Sequence, residues 1–376
     1  MNSNNGFHAQ EFAMRLTAVG AEVAVASNDP IDSISTDKPY RMLSHDELRD
    51  ADPFGDVGGP SVVHAWTPRE GVRRLCSVVS GRWPDAAVVV HLEDDEELLT
   101  ELSIGMPWQE LLSLPPQRLD QLTVESIYHP RRGPEFLATV DGLSWVIEGL
   151  GRFNPGGLAS LRLPPLADES LFHPRPLNRQ LRHQLGIPAR HMVISYCGNV
   201  HAANRAEVEV LYRAVDTLNR LGVPTTLLRS GSGWVSGMAG VSSAHAIELG
   251  WVERESIPDI LAAADVLVQP GVPGPFNDNR VPCKLPEYFA IGRPVVLPKS
   301  NLGLIMQHGV DAYVVERADV DGVVRAVQAL AGARELRHRL AEGAVAVYLR
   351  RLRESDLGVR AVQFYGAVCA ARVRPA

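Results

Sequence analysis

Short apolar runs of strand length alternate with segments of helical periodicity along most of the chain. A polar stretch at residues 2–6 predicts a loop, and the spacing of Phe12, Leu16 and Val19 predicts a helix after it. Strand-like runs follow at residues 22–26, 61–65, 86–91 and 143–147. Strands that alternate with helices form parallel, doubly wound sheets, so this part predicts a Rossmann-like domain. Its first strand should precede the helix, and we interpret that strand as missing.

A second series of strands and helices follows a proline-rich segment. That segment, RLPPLADESLFHPRP at residues 162–176, predicts a linker. Strands are predicted at residues 192–196, 225–229, 246–249, 266–269, 294–297 and 312–315, and helices at residues 206–221, 256–264 and 285–290. From residue 321 the pattern is helical almost to the end, with a break expected near residues 356–358.

Composition and charge exclude several classes of protein. The chain has 376 residues, of which 45% are hydrophobic, and no apolar run approaches the roughly 20 residues that span a bilayer. A net charge of −7 argues against nucleic acid as a partner. The four cysteines form no C-x-x-C pair, and residues 1–6 lack the pattern of a signal peptide, so we expect a cytoplasmic location. Lysine occurs only at Lys38, Lys284 and Lys299 among 37 cationic residues, so each lysine is informative.

The segment at residues 269–298, QPGVPGPFNDNRVPCKLPEYFAIGRPVVLP, is the most informative loop. It follows a strand, and it predicts a short helix that carries Lys284 and Glu287, with Arg280 nearby. This segment resembles the C-terminal half of retaining GT-B glycosyltransferases, particularly glycosyltransferase family four. The residues AIGRPVV at 290–296 match that family's A-x-G-x-P-V-V, and Glu287 occupies the second acidic position of its E-x7-E motif. Asn279 stands at the first acidic position, with Asp278 beside it.

The resemblance extends in the correct order over some 300 residues. It includes the loop up to Asn204, the segment LLRSGSG with Gly231, the segment LGWVERES with Val252, and the strand ending in His64. The fold that it implies is GT-B, an α/β architecture of two Rossmann-like domains with an interdomain cleft. We assign residues 1–170 to the N-terminal acceptor-side domain, 171–345 to the nucleotide-sugar domain and 346–376 to a helix that returns to the N-terminal domain.

The same resemblance implies roles for individual residues. Glu287 is expected to accept hydrogen bonds from ribose hydroxyls, although a solvent-facing carboxylate is the alternative. Lys284 and Arg205, supported by Arg229 or Arg280, are the candidates for neutralising the diphosphate, while an ordinary surface position remains open for each arginine. His91 is expected to contact the donor sugar or the acceptor, or to be satisfied by neighbouring backbone. The other candidates for donor binding are Asn279, Asp278, Gly231, Val252, Asn204 and Gly6, and a frayed terminus is the alternative at Gly6.

Neither a metal nor a cofactor is expected. The acidic residues 93–97 predict the start of a helix, because carboxylates are favoured there, with Glu93 or Asp94 near an acceptor hydroxyl. The basic stretch YLRRLR at residues 348–353 predicts either a helix that packs on the first domain or attachment to an anionic membrane surface.

The leading hypothesis is a retaining glycosyltransferase that moves a sugar from a nucleoside-diphosphate donor to a glycan, lipid-linked or small-molecule acceptor, in polysaccharide or glycoconjugate biosynthesis. The substitution at Asn279 and the missing strand favour a catalytically silent relative instead, acting as a nucleotide-sugar-binding or scaffolding subunit. A sugar epimerase or phosphorylase of the same fold is a third hypothesis. The base, the sugar, the acceptor and the oligomeric state are not readable from the sequence.

Overall fold

The chain divides into two compact units, each described separately below. The computed structural model describes residues 4–27, 38–51, 53–55, 58–154, 156–201, 203–233 and 241–373. The first unit comprises Met1–Pro165, Asn279–Val281 and Glu354–Ala376, and the second comprises Leu166–Asp278 and Pro282–Arg353. Both ends of the chain therefore contribute to the first unit.

Strands and helices alternate in both units. The strands are β1 (Ala24–Ser27), β2 (Arg41–Ser44), β3 (Val62–Trp66), β4 (Ala87–Leu92), β5 (Gly142–Trp145), β6 (Ser160–Arg162), β7 (Met192–Cys197), β8 (Thr225–Ser230), β9 (Ala246–Glu248), β10 (Val266–Val268), β11 (Val295–Pro298) and β12 (Tyr313–Val315). The α-helices are α1 (Asn4–Ala18), α2 (His45–Asp50), α3 (Glu70–Arg82), α4 (Glu96–Ile104), α5 (Trp108–Ser113), α6 (Pro116–Leu122), α7 (Arg132–Leu137), α8 (Arg179–Gln184), α9 (Arg205–Arg220), α10 (Ile257–Ala262), α11 (Pro275–Asp278), α12 (Lys284–Ala290), α13 (Val320–Ala331), α14 (Arg334–Val347) and α15 (Leu357–Val373). The elements β1–β6, α1–α7 and α15 belong to the first unit.

The second unit is a doubly wound parallel sheet, as predicted. Its six strands lie in the order β9-β8-β7-β10-β11-β12, so the strand order reverses between β7 and β10. Strands β7 and β8 are buried along their whole lengths, as central strands of a parallel sheet are. The amphipathic helices α9 and α13 pack on the sheet through Leu211, Val215 and Val327, all nearly inaccessible to solvent.

The first unit contains two parallel sheets, whereas the sequence predicted one. Strands β1 and β2 form a two-stranded sheet, and β3-β4-β5-β6 form a four-stranded sheet. Neither β2 nor β6 was predicted. Both are short and only partly buried, so their sequences carry little of the apolar signal by which the other strands were found.

The two ends of the chain differ in detail from the prediction. The predicted loop at residues 2–6 is wrong from Asn4 onward, because α1 begins there and contains a buried Gly6; residues 2 and 3 lie outside the described residues. At the other end, the helical region consists of α13, α14, a π-helical turn at Tyr348–Leu352 and α15. The prediction that the last helix packs on the first domain is confirmed, because α15 packs against α1.

Candidate functional site

The carboxyl ends of β7 and β8 bring together four of the predicted residues of the second unit, Asn204, Arg229, Gly231 and Lys284. The strand order reverses beside β7, and ligands of open α/β sheets bind at such a reversal, beyond the carboxyl ends of the strands. The loop after β7 and the loop after β8 are joined there by backbone hydrogen bonds. The Gly198 N–H donates to the Ser230 carbonyl and the Val200 N–H donates to the Ser232 carbonyl, both at 2.9 Å.

Gly231 allows these two loops to approach closely. Its φ is +122°, and a Cβ at this position would lie 2.3 Å from the carbonyl oxygen of Gly198. Any larger residue would therefore separate the loops. The sequence predicted donor binding at Gly231. In the structure, this glycine permits the close approach of the loops after β7 and β8.

Arg229 lies beneath these loops rather than on their surface. Its side chain is 1% exposed, and its guanidinium pairs with Glu248 at 2.7 Å and donates to the carbonyls of Gly198 and Gly233. Burial lowers the pKa of Arg229. These contacts connect the loops after β7 and β8 to the last residue of β9, so Arg229 is a positioning residue for the loop backbone.

Lys284, the first residue of α12, lies against the end of β7. Its Nζ donates a hydrogen bond to Tyr196 Oη at 2.8 Å and lies 4.0 Å from the centroid of that ring. A Cβ at position 198 would lie 2.7 Å from the same Nζ. The absence of a side chain at Gly198 thus leaves room for the ammonium group beside residues 198–201, which follow β7 and are called the glycine loop below.

Glu287 lies three residues farther along α12 and pairs with Arg254. The Arg254 guanidinium is 2.9 Å from Glu287 Oε1 and stacks over the Phe172 ring with its Cζ 5.1 Å from the centroid. Burial raises the pKa of Glu287, and the charge of Arg254 opposes that rise. Sequence reasoning missed Arg254, although it follows Val252, a half-buried residue that was predicted to meet the base.

Asn204 and Arg205 stand where the loop after β7 enters α9. Asn204 Oδ1 accepts a hydrogen bond from the His201 N–H, and Asn204 Nδ2 donates to the Asn199 carbonyl, both at 2.9 Å. Asn204 is 7% exposed and therefore closes the loop, whereas Arg205 is exposed at the first position of the helix. The predicted contact of Arg205 with a diphosphate stays a prediction.

The substituted acidic motif is divided between the two units. Asp278 belongs to the second unit, where its Oδ1 accepts a hydrogen bond from Ser300 Oγ at 2.7 Å. Asn279 belongs to the first unit and lies against Gly149, where a Cβ would be 2.2 Å from Asn279 Oδ1. Arg280 belongs to the first unit as well, so its predicted convergence with Lys284 stays a prediction.

His91 lies in the first unit, near the carboxyl end of β4, within a cluster of aromatic side chains. Its side chain is fully buried, its Nδ1 is 2.8 Å from Ser144 Oγ, and its ring lies 4.7 Å from that of Trp66. Among the described residues, its Nε2 has no hydrogen-bond partner. Burial lowers the pKa of His91 well below its usual value, and the nearby His8 and His64 add to this, so the imidazole is neutral at pH 7.

His8 and Glu93 complete a group that can in principle hold a metal ion with His91. One ligand atom from each of the three residues lies within 4.8 Å of the others. However, His8 already hydrogen-bonds Glu93 through Nδ1 and the Pro164 carbonyl through Nε2, both at 3.0 Å. A metal ion would have to replace the first of these bonds. Sequence reasoning missed His8, because nothing in the pattern of α1 marks it.

The rest of the acidic run forms the start of a helix, as predicted. Asp95 Oδ1 accepts a hydrogen bond from the Leu98 N–H and caps α4, whose first two residues are Glu96 and Glu97. Burial and the neighbouring Glu96 raise the pKa of Asp94 to about 7, against the charge of Arg280.

The basic stretch near the C-terminus has partners within the second unit. Arg350 pairs with Asp311, Arg351 donates to the Ile305 carbonyl, and Arg353 pairs with Glu169. In the described part of the chain, the search for a helix of sufficient length and hydropathy to cross a bilayer found none. The attachment of this stretch to an anionic membrane surface stays a prediction.

Comparisons with known proteins bear on the fold. Residues 191–332 match the family model described as glycosyl transferases group 1. The chain is similar to the solved structures of sucrose-phosphate synthase (tll1590) from Thermosynechococcus elongatus, with a TM-score of 0.69, 15% identity and coverage of 97% of this chain and 93% of that one. It is also similar to Anabaena Alr3699/HepE in complex with UDP-glucose, with a TM-score of 0.68, 14% identity and 96% coverage of both chains. A search of the curated proteins gives no match.

A third similar structure is WaaG, a glycosyltransferase involved in lipopolysaccharide biosynthesis, with a TM-score of 0.61, 13% identity and 95% coverage of both chains. The fold is therefore GT-B, and the resemblance to group 1 glycosyltransferases is confirmed. At these identities the structural likeness establishes the fold alone.

Proposed function

We propose that this protein is a retaining glycosyltransferase that transfers a sugar from a nucleoside-diphosphate donor to an acceptor hydroxyl. The observation that carries the proposal is the position of Lys284, whose ammonium group lies beside the glycine loop at the end of β7. Glycosyl transfer from such a donor leaves a diphosphate, and a fixed cation that stabilises the developing charge accelerates the reaction.

The surrounding residues have complementary roles in this proposal. The backbone at Gly198 and Gly231 can approach the phosphates because no side chain intervenes. Glu287 accepts hydrogen bonds from the ribose hydroxyls, since a carboxylate accepts several donors at once, and Arg254 orients it. Asn204 and Arg229 position the loop backbone.

The remaining candidates bind the sugar or help to neutralise the negative charge of the diphosphate leaving group. His91, being neutral, hydrogen-bonds the sugar or positions the acceptor, while Arg205 and Arg280 support Lys284. UDP-glucose is the first donor to test, because it is the ligand of the similar Anabaena structure. The acceptor is a glycan, a lipid-linked sugar or a small molecule.

The proposal is tested by incubating the protein with a panel of nucleotide sugars, with and without acceptors. The release of nucleoside diphosphate is measured in each case. We expect Lys284→Ala to lower turnover by about 10²- to 10³-fold, as the loss of a group that stabilises developing charge does elsewhere. Lys299→Ala is the matched control, because Lys299 is exposed and pairs with Glu316. If Lys284→Ala turns over donor as fast as Lys299→Ala, the role of Lys284 is excluded.

A catalytically silent subunit is the second candidate, favoured by the observation that Asn279 replaces the first acidic residue of the motif. This candidate predicts that a donor raises the melting temperature, by an amount that grows with the logarithm of its affinity, without any release of diphosphate. Turnover with any donor and acceptor eliminates it. Product analysis without an added acceptor tests the third hypothesis, an epimerase or phosphorylase.

A further inference from the structure

Three buried side chains of the first unit converge on one point from different parts of the chain. His8 lies on α1, His91 lies on β4, and Glu93 directly follows that strand. Their exposed fractions are 2%, 0% and 7%, and one ligand atom from each residue lies within 4.8 Å of the others. His8 precedes Glu93 by 85 positions, so no local sequence motif marks the group. We call these three residues the His-His-Glu cluster.

His91 contributes an unpartnered nitrogen to this cluster. Its Nδ1 is engaged, because it lies 2.8 Å from Ser144 Oγ. Its Nε2 is buried, and among the described residues it has no hydrogen-bond partner. Buried polar atoms without a partner are rare in folded proteins, because each one loses its bonds to water without a replacement. The lone pair of Nε2 is therefore available to a cation beside it.

His8 faces hydrogen-bond acceptors on both sides of its ring. Its Nε2 lies 3.0 Å from the Pro164 carbonyl oxygen, and its Nδ1 lies 3.0 Å from Glu93 Oε1. A carbonyl can only accept, so Nε2 carries a proton, and a neutral ring then presents the lone pair of Nδ1 to a carboxylate. Either an additional proton or a metal cation can hold two such acceptors together. A metal ion in place of that proton would use both atoms as ligands.

Each ligand of the cluster also has an outer hydrogen-bond partner. The two histidines use their other ring nitrogens for the Pro164 carbonyl and Ser144 Oγ, and the glutamate accepts a hydrogen bond from Trp66 Nε1 at 3.0 Å. Metal-binding histidines generally use their second nitrogen in this way, which fixes the orientation of the ring. The Trp66 ring also lies with its centroid 5.5 Å and 4.7 Å from those of the two histidines. The ligands are therefore already oriented in an apolar surrounding.

We propose that the His-His-Glu cluster binds one divalent transition-metal ion, with zinc as the first ion to test, through His8 Nδ1, His91 Nε2 and Glu93 Oε1. Two histidines and one glutamate are a donor set that zinc uses together with a fourth, open position. Ligand atoms around tetrahedral zinc lie about 3.3 Å apart, so the three atoms need to close by about 1.5 Å at most. The ion would join α1 to β4 and thereby stabilise the first unit.

This inference does not rest on the proposed function. The ion would occupy the nitrogen of His91 that Ser144 leaves for the sugar or the acceptor, so the two uses of His91 exclude each other in one molecule. In an active enzyme, zinc should therefore inhibit turnover. Zinc binding and stability are measured without any sugar donor, so a failure of either proposal leaves the other standing.

Zinc binding is tested on the full chain after a chelator has removed any bound metal. We expect one zinc ion per chain in a competition titration. The melting temperature should rise by about 5 °C or more at a free zinc concentration about 100 times the dissociation constant. Cobalt(II) in place of zinc should give the visible absorption of a four- or five-coordinate site without a thiolate charge-transfer band, since the cluster contains no cysteine. No uptake of either ion, or a thiolate band, would overturn the proposal.

Substitutions of single residues decide whether the ion lies in the cluster. We expect His8→Gln and Glu93→Gln each to weaken zinc binding by more than about 100-fold, and Ser144→Ala, which removes an outer partner, to weaken it by about 10- to 100-fold. His338→Gln is the matched control, because it removes an exposed histidine paired with Glu342 and should bind zinc as the wild type does. Equal zinc affinity in the wild type and in both ligand variants would mean an adventitious ion only and would contradict the proposal. Circular dichroism checks that each variant folds, and if one ligand variant does not fold, the other variant and the cobalt spectrum of the wild type decide.

Discussion

Gly198 lies next to the ammonium group of Lys284, the residue on which the proposed function depends. A Cβ at this position would meet the end of the Lys284 side chain at 2.7 Å. Because that contact involves the mobile end of a long side chain, the lysine can move away and the fold survives. Gly198 therefore sets where the ammonium group lies.

We predict that Gly198→Ala lowers donor turnover by about 10- to 100-fold, because a displacement of roughly 1 Å at a charged group has effects of this size. The free energy of unfolding should change by no more than about 1 kcal/mol. Steady-state kinetics and urea unfolding measure the two effects. Gly81→Ala, at an exposed position where a Cβ meets no other atom within 4 Å, is the control, and equal kinetics for both variants would contradict the prediction.

Buried His91 also makes stability depend on pH. Its pKa in the folded state lies well below that in the unfolded chain, near 6.5, so the unfolded state binds the proton first as the pH falls. The free energy of unfolding should therefore be constant above about pH 7 and decrease below pH 6.5. His64 adds to the trend, since burial and nearby His8 lower its pKa to about 3.

Urea unfolding at pH 7.5 and 5.5 measures this dependence. We expect His91→Gln to reduce the difference between the two pH values by about 1.4 kcal/mol, the contribution of one group one pH unit below its unfolded pKa. His338→Gln removes an exposed histidine paired with Glu342 and is the control. The same pH difference in wild type and His91→Gln would exclude the linkage.

The sequence identified some site residues and missed others for physical reasons. Lys284 stood out because lysine is rare in this chain, and the structure places it beside the predicted loop. Arg254 was missed because arginine is frequent in this chain, so one more arginine does not indicate a site. His8 was missed because no local sequence motif distinguishes it from the other residues of α1. Arg229 was expected at the phosphates. Its burial beneath the loop backbone could not be predicted from the sequence, because burial there is a property of tertiary packing.

At the level of elements, the strands of the second unit were predictable, whereas β2 and β6 of the first unit were not. All six strands of the second unit were predicted within a few residues, and its central strands β7, β10 and β11 are buried and mainly apolar, as strands of parallel sheets are. Strands β2 and β6 have four and three residues and exposed positions, so their pairing depends on neighbours far away in the sequence. The start of α1 was placed too late because polar residues dominate its first turn.

Helices α1 and α15 come into backbone contact at a glycine. A Cβ on Gly358 of α15 would lie 2.4 Å from the Arg15 carbonyl oxygen of α1, a backbone atom that cannot move independently. We predict that Gly358→Ala separates the helices and costs about 1–3 kcal/mol in urea unfolding. Gly366→Ala in the same helix, where a Cβ meets nothing within 4 Å, should be neutral or slightly stabilising. Equal destabilisation by both would show that the contact is unimportant.

At the level of the whole molecule, the first unit depends on residues from both ends of the chain. Its last contribution, α15, buries Phe364 and Val368, the two side chains nearest Gly142 of β5. We predict that a chain ending at Arg353 loses amide protection in α1 and β5, while β7 and β8 stay protected. Hydrogen exchange resolved by residue measures this, and loss of protection throughout both units would contradict it.

The same connectivity determines the order in which the protein can be completed during its synthesis. On the ribosome, the long stretch that forms the second unit emerges uninterrupted apart from Asn279–Val281, and it can collapse while translation continues. The first unit emerges earlier but lacks its final helix until the last residues leave the exit tunnel. For most of elongation its apolar faces are uncovered, so this half of the nascent chain is the half that a chaperone would hold.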